Sequence, residues 1–284
     1  MKDYRNLLFP YAYNILGSWE DAKDIVQDVL SSYLTTPHEG IHNEKGYLIR
    51  SVINTAINVK NKKKKLVRES NSLPEPIATE RADTNINLSD IVSYSLLILL
   101  EQLNPKERAV FILKEGFNYS HEEIADLLSS TAENSRKLLS RAKSKINPTL
   151  LTQQKVHKES VPDGILDKYV EAIRSRDMKM LENLLAEDIV FIADGGKNLN
   201  VYKKICTGNT AVSDLLLYTY EKYHIHFSSQ YTEINHQPAI LYYIGDQLKV
   251  CQVLSISPDN GKIFRISIII DPEKLKNIWI GESD

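Results

Sequence analysis

The chain has 284 residues, of which 42% are hydrophobic and 25% charged, and its 35 Lys and Arg against 37 Asp and Glu give a formal net charge of −2. That length suits two or three ordinary domains, and the near-neutral balance excludes a protein that is basic throughout. Cys206 and Cys251 lack CxxC spacing, which argues against a zinc site or disulfide framework, so neither metal nor cofactor is expected.

No basic stretch followed by an apolar run opens the chain, so no secretory signal is visible and a reducing cytoplasm is expected. The apolar run Tyr94–Leu100 is far shorter than the ~20 residues a membrane span needs. No membrane partner is expected.

Residues 1–66 have helical periodicity. Leu7, Leu8, Tyr11, Ile15 and Leu16 define a first helix stopped by Gly17-Ser18. Ser18 then reads as the cap of a second helix, with Asp21 in the capping-box position. Ala22, Ile25, Val26, Val29, Leu30 and Tyr33 share its inner face, with Asp21, Asp24 and Asp28 opposite. After a break at Pro37–Gly40, a third helix over about 44–64 points Tyr47, Leu48, Val52, Ile53, Ala56 and Ile57 inward. It ends in a cationic run: Lys60, Lys62, Lys63, Lys64, Lys65 and Arg68.

Residues 67–88 are polar and proline-containing without apolar periodicity, and read as a linker. A second helical module spans 89–148, a further linker 149–161, and a domain of different character 162–284. The last opens with helical pattern at 165–174 and 178–185. Strand-like runs follow at 189–193, 224–234, 239–244, 247–257 and 262–270. Pro238, Gly245-Asp246 and Asp259-Asn260-Gly261 supply turns, Asn260-Gly261 being a strong hairpin signal. Helices followed by a meandering antiparallel sheet predict an α+β domain.

Within the second module, residues 117–147 read as a helix, a polar turn and a second, cationic helix. Ile124, Ala125, Leu128, Leu138 and Leu139 face inward, Ser129-Ser130-Thr131 fills the turn, and Thr131 caps the second helix. Asn134, Lys137 and Arg141 form one outward stripe, with Arg136, Lys143 and Lys145 nearby. Arg and Lys suit guanine edges or phosphates, and Asn suits adenine. This is a helix-turn-helix, which places its second helix in the DNA major groove. The blander alternative is a small bundle with a solvated basic face. The upstream lysine run shifts the balance to nucleic acid, because its helix also offers Tyr47, Arg50, Asn54 and Asn58 for stacking on and hydrogen bonding to unpaired bases.

The first 150 residues resemble the bacterial extracytoplasmic-function sigma factors. Sigma region two is matched by Ala12–Ser18, Asp21–Asp28 and Tyr47–Ala56, and region four by Leu103–Phe111 with the helix-turn-helix. Leu73-Pro74-Glu75-Pro76, Asp194-Gly195-Gly196-Lys197 and Asp271-Pro272-Glu273-Lys274-Leu275 resemble further signatures of the subgroup with a C-terminal SnoaL-like extension, a cone of helices over a curved sheet.

The resemblance implies a multidomain chain of two all-α sigma domains plus an α+β cone. Asp24, Ile25, Gln27 and Asp28 would dock the β′ clamp of core RNA polymerase, and the residues around Leu103 and Phe111 would lie near the β flap. Tyr47, Arg50, Asn54, Asn58, Lys62, Lys63 and Lys64 would recognise and open the −10 promoter element. Asn134, Ser135, Arg136, Lys137, Ser140 and Arg141 would read or grip the −35 element. Leu73, Pro74, Glu75, Pro76, Asp194, Gly195, Gly196, Lys197, Asp271 and Pro272 would make regulatory contacts, so that the third domain acts on the sigma domains in cis. A small-molecule ligand of the cone is compatible with this reading.

Three departures stand out. The glycine run at Gly195-Gly196 is one residue shorter than usual. Ser129 replaces the usual turn glycine, and Ser135 replaces an apolar Val or Ile, its hydroxyl being expected to bond back to a preceding-turn carbonyl. Two other classes compete. A ligand-sensing helix-turn-helix repressor or activator would need a dimer surface that the sequence does not offer. An isomerase or hydrolase tethered to DNA would draw on Asp188, Asp194, His224, His226 and His236 for acid–base work. His224 and His226 would share a strand face, but no third residue completes a metal site.

Overall fold

The computed structural model describes residues 4–35, 41–66, 72–79, 87–146, 164–196 and 205–278. The second linker, Arg68 and Lys197 lie outside them. Two compact units emerge: residues 4–66 with 87–92 and 96–146, and residues 164–278 with 72–79 and 93–95.

The first unit is all-helical. Helix α1 (Arg5–Leu16) ends where Gly17 adopts φ +72° and donates its N–H to the Tyr13 carbonyl at 2.7 Å; a side chain at that φ would be strained, hence glycine. Ser18 Oγ accepts the Asp21 N–H at 3.3 Å and opens α2 (Trp19–Thr35), as its spacing predicts. Helix α3 (Glu44–Leu66) packs Leu48, Val52, Ile53, Ala56 and Ile57 against α1 and α2. Tyr47 departs from the expectation: it is 39% exposed, its ring tilted against Tyr33. Ile25 is buried with Ala22, Val26 and Val29.

Short helices α4 (Tyr94–Leu99) and α5 (Pro105–Phe111) follow, the latter begun by a reciprocal Asn104–Glu107 capping box. A π-helical turn, Ile112–Gly116, leads to α6 (His121–Leu127), which has its own capping box from Ser120 and Glu123. Thr131 Oγ1 accepts the Asn134 N–H at 3.1 Å and starts α7 (Ala132–Lys145).

Buried polar groups join the two halves of this unit. Arg108, fully buried, donates from Nε to the Asn14 carbonyl at 2.8 Å and from Nη1 to Glu101. Lys60 Nζ donates to the same Glu101 carboxylate at 2.8 Å and to the Leu16 carbonyl at 2.7 Å. Burial alone would raise the Glu101 pKa; the Arg108 and Lys60 charges outweigh it and hold the carboxyl down to about 2. Desolvation and the Arg108 charge bring Lys60 down to about 8. Asn14, also buried, accepts the Val92 N–H at 3.1 Å and donates to the Asp90 carbonyl at 2.8 Å. Tyr11 stacks on Phe117, centroids 4.1 Å apart, and shares a 2.9 Å hydrogen bond with the Tyr119 hydroxyl.

The second unit is the α+β cone. Helices α8 (Ile165–Arg174) and α9 (Met178–Leu184) precede β1 (Leu185–Asp194) and the short β2 (Cys206–Thr207). Next come α10 (Asn209–Thr219), a π-helical turn (Tyr220–His224), β3 (Ser228–Ile234), β4 (Gln237–Ile244), β5 (Gln247–Ile256), β6 (Ile263–Ile269) and α11 (Pro272–Leu275). The sheet runs β2-β1-β6-β5-β4-β3, antiparallel except that β1 pairs parallel to β6. Tyr169, Ile173, Leu181, Leu185, Val212, Leu216, Ile240, Leu254 and Ile266 form its core. At ~1.5–3 kcal/mol for each fully buried aliphatic or aromatic side chain, this core dominates the unit's stability.

Several expectations need correction. The sheet is mixed rather than a simple meander, because β1 is inserted beside β6 through the crossover that includes α10, a helix the sequence reading missed. The expected strand over 224–234 starts only at Ser228; His224 closes the π-helical turn and His226 lies in the bend after it, so they share no strand face. Pro238 is not a turn residue but pairs with Glu233 inside β4, the turn being Asn235-His236, both at positive φ (46° and 61°). Asn235 is among the residue types that tolerate this conformation best. The Asn260-Gly261 hairpin forms as expected, with Gly261 at φ +68°.

Candidate nucleic-acid interface

On α7, Asn134, Arg136, Lys137, Ser140 and Arg141 are all exposed. Lys137 pairs with Glu133 at 2.7 Å and Arg136 with Glu122 at 2.9 Å, in open solvent where such pairs contribute little and yield readily to phosphate. Asn134 Nδ2 donates to Ser130 Oγ at 2.8 Å, which orients its amide over the turn. Ser135 is the exception in this group: it is buried (2% exposed), and its hydroxyl pairs with His121 Nδ1 at 2.9 Å. It therefore holds α6 to α7, rather than bonding back to a carbonyl or facing DNA. Desolvation lowers the His121 pKa, in keeping with an uncharged ring.

The turn carries its own strain. Ser129 sits at φ +49°, the left-handed region in which glycine is at ease. Its hydroxyl nevertheless has a partner: Arg50 Nη2 on α3 donates to Ser129 Oγ at 2.6 Å. One turn further along α3, Asn54 Nδ2 donates to the Leu127 carbonyl at 3.1 Å. The polar face of α3 and the helix-turn-helix are thus bonded to each other. Beside these contacts, Lys45, Gly46, Tyr47 and Arg50 face Glu123 and Asp126 across an open cleft of about 570 Å³.

The remaining cations of α3 divide. Asn58, Lys62, Lys63 and Lys64 are exposed, but Lys63 pairs with Asp21 and Lys64 reaches the Leu103 carbonyl at 3.1 Å. On α2, Asp24, Gln27 and Asp28 form an exposed face, whereas Ile25 is only 4% exposed and belongs to the core. Leu103 and Phe111 are likewise buried, which takes them out of any surface contact in this conformation.

The second unit holds the residues expected to regulate. Asp194 ends β1, and its Oδ2 accepts the Leu73 N–H at 2.7 Å and the Lys274 ammonium at 2.5 Å. Lys274 also donates to the Leu73 carbonyl and to Ser72 Oγ at 2.6 Å. Burial would raise the Asp194 pKa, but Lys274 and the N–H groups of Gly196 and Leu73 hold it below the ordinary carboxylate range. Gly196 has φ +69°, and a Cβ there would lie 2.5 Å from the Asp271 carboxyl, so only glycine fits. Asp271 caps α11 by accepting the Glu273 N–H at 3.1 Å, with Pro272 following it.

Further along, the 72–79 segment joins the sheet. Ala78 bridges Ile234, Ile77 N–H donates to Asn235 Oδ1 at 2.8 Å, and Thr79 N–H donates to the Glu233 carbonyl at 2.9 Å. Leu73, Pro74 and Pro76 are buried and Glu75 is half-buried; the Pro74 carbonyl accepts the Tyr94 hydroxyl at 2.7 Å. Sequence reasoning placed Lys274 in a signature without giving it a role, and missed Asn235 altogether. Its Asn-His pair, at positive φ, was the available signal.

The acid–base candidates do not converge. Asp188 and His226 are exposed, Asp194 is consumed by Lys274 and Leu73, and His236 lies 3.5 Å from Glu233 beside the 72–79 segment. His224 lines a cavity. Among the described residues no three His, Cys, Asp or Glu could hold a metal, and no helix is long and apolar enough to cross a membrane.

Comparison with known proteins agrees with this geometry. Residues 1–66 match the family model for sigma-70 region 2 and residues 95–146 that for sigma-70 region 4. The chain is 28% identical to the probable ECF RNA polymerase sigma factor SigI of Mycobacterium tuberculosis, over 96% of this chain and 92% of that protein. It is 24% identical to the ECF RNA polymerase sigma factor SigJ of the same organism, over 77% and 72% of the two chains. The crystal structure of M. tuberculosis SigJ superposes with a TM-score of 0.76 at 21% identity, covering 98% of this chain and 97% of that one.

Proposed function

From the premise that this chain is an extracytoplasmic-function sigma factor with a C-terminal SnoaL-like cone, we propose how its surfaces divide the work. The exposed Asp24, Gln27 and Asp28 face of α2 docks core RNA polymerase at the β′ clamp. Helix α7 enters the major groove of the −35 element, with Asn134, Lys137 and Arg141 toward base edges and Arg136 and Ser140 toward phosphates. Helix α3 recognises the −10 element. There Tyr47, Arg50, Asn54 and Asn58 stack on and bond to bases of the opened strand, while Lys62, Lys63 and Lys64 follow its backbone. The cytoplasm is the place of action this reading requires.

One observation carries the proposal of control: Arg50 and Asn54, groups needed for the −10 strand, are already bonded to Ser129 and Leu127 of the helix-turn-helix. In this conformation strand capture is blocked, so the two halves must separate on polymerase before melting. The cone regulates this step in cis through the 72–79 segment that it grips by Asp194, Lys274 and Asn235. A separate DNA-binding repressor has no use for a region 2 module and is not favoured.

The deciding experiment is run-off transcription with purified core polymerase, comparing the full chain with a truncation after Thr149. Promoter-specific transcripts are expected from the full chain, and the ratio between the two gives the sign of control. Sequence-specific duplex binding without transcripts from either protein would sink the division of labour.

A further inference from the structure

The cone contains a cavity of about 180 Å³ lined by Val170, Ile173 and Arg174 of α8, Tyr220, His224, Ile225 and Phe227 of the π-helical turn and its exit, Ser229 of β3 and Tyr242 of β4. None of the regulatory contacts described above uses it. Its walls are mixed: Val170, Ile173, Ile225 and Phe227 are apolar, and Arg174, Tyr220, His224, Ser229 and Tyr242 bring polar groups. The His224 ring lies nearly parallel to that of Tyr242, centroids 5.4 Å apart with 22° between planes, and 5.0 Å from that of Phe227. A cavity of ~150 Å³ with apolar walls accepts one benzene ring, so the volume here fits a single six-membered ring with its substituent at the mouth.

The polar groups are one guanidinium, one imidazole and the hydroxyls of Tyr220, Ser229 and Tyr242. Arg174 contributes a guanidinium at the exposed end of α8, where Nη2 donates to Ser229 Oγ at 3.3 Å. Neither the Tyr242 hydroxyl nor the His224 ring has a hydrogen-bond partner among the described residues, although Tyr242 is only 8% exposed. Among the described residues no carboxylate lines the cavity. On the neighbouring helix turn, Glu221 pairs with Arg176 at 3.2 Å. Desolvation lowers the His224 pKa, so its ring is an uncharged wall and not a second cation. A cation would meet Arg174 unopposed. A neutral apolar molecule would leave the guanidinium without an anion, whereas a planar carboxylate matches its paired donors.

We propose that this cavity is a binding site for a single-ring carboxylate, the ring lying among Tyr242, His224 and Phe227 and the carboxylate held at the mouth by Arg174 with the Ser229 and Tyr242 hydroxyls. Such a ligand would give the third domain a chemical input, independent of how the sigma regions use it.

The test uses the full chain, with benzoate as the probe and benzamide as its uncharged isostere, read by calorimetry and by NMR shifts of the His224 and Ser229 amides. Saturable benzoate binding is expected, with benzamide at least tenfold weaker. Arg174→Gln should weaken benzoate at least tenfold and leave benzamide unchanged; this side chain is exposed, so the fold tolerates the change. Equal binding of the two probes, benzoate binding that survives Arg174→Gln, or no saturable binding of benzoate at tens of millimolar would each overturn the proposal. None of these outcomes bears on the transcription assay, so the two readings fail separately.

Discussion

Helices α3 and α7 carry the side chains assigned to DNA, and they stand in opposite conditions. The reading stripe of α7 is exposed, its cations held only by solvent-facing pairs with Glu122 and Glu133. On α3, the equivalent groups Arg50 and Asn54 are bonded to the turn that leads into α7. The same turn therefore positions one reader and occupies the other. On the proposed assignment the difference would impose an order: duplex contact by α7 would come first, and single-strand capture by α3 would wait until that turn leaves.

The strongest way to break the comparison is to remove the carboxylate that joins the two halves. Glu101→Ala would leave the fully buried Arg108 with the Asn14 carbonyl but no carboxylate; because the Glu101 side chain is itself 36% exposed, the loss should fall below the ~3–5 kcal/mol of a fully buried pair. Amide exchange in α1 and α5 should accelerate together; unchanged protection would show that Glu101 is not the joint.

Acid should do the same reversibly. Because the folded Glu101 pKa is depressed, its stabilisation is complete above the ordinary value of 4.5 and is lost as pH falls toward about 2. Exchange protection in α1 should decline through that window in the native chain and stay flat in Glu101→Gln.

Next in size, Arg141→Ala should cost about 1–3 kcal/mol of −35 recognition, seen as weaker transcription from cognate promoters with core binding intact. A loss of core binding instead would reassign α7. Smaller still, Ser129→Gly removes the acceptor for Arg50 and relieves the positive φ. Freed of a charge-assisted bond, α3 should become more available and transcription should rise by up to about tenfold, ~1.4 kcal/mol. Transcription that stays level would mean the contact does not restrain α3. Smallest of all, Ser135→Ala leaves His121 without its partner and should cost about 1 kcal/mol. Thermal unfolding would register it, while promoter preference should not change.

Much of the helical half was legible because its signals are local. Ser18, Gly17 and Thr131 act through bonds within a few residues, and the inward apolar positions of α3 follow from a 3.6-residue period. The misreadings are non-local. Ile25 was assigned to polymerase, although its place in the apolar stripe of α2 already marked it as core. Ser135 was given a local carbonyl, but its partner is His121, on the preceding helix. In the cone, a polar proline-rich segment gave no period to read, yet Leu73 and Ile77 are buried against partners more than 120 residues away. The Asp194–Lys274 pair spans 80 residues, a distance across which only the folded sheet supplies the pairing.

The grip on residues 72–79 has a consequence beyond control in cis. Its contacts include a main-chain bridge at one end and a carboxylate–ammonium clasp at the other, the way a receptor holds an extended peptide. The cone thus holds a piece of its own chain by contacts that a separate peptide could also make. A free peptide of the same sequence is then a competitor in trans. Supplied in excess, it would displace the tethered copy without altering a single residue of the protein.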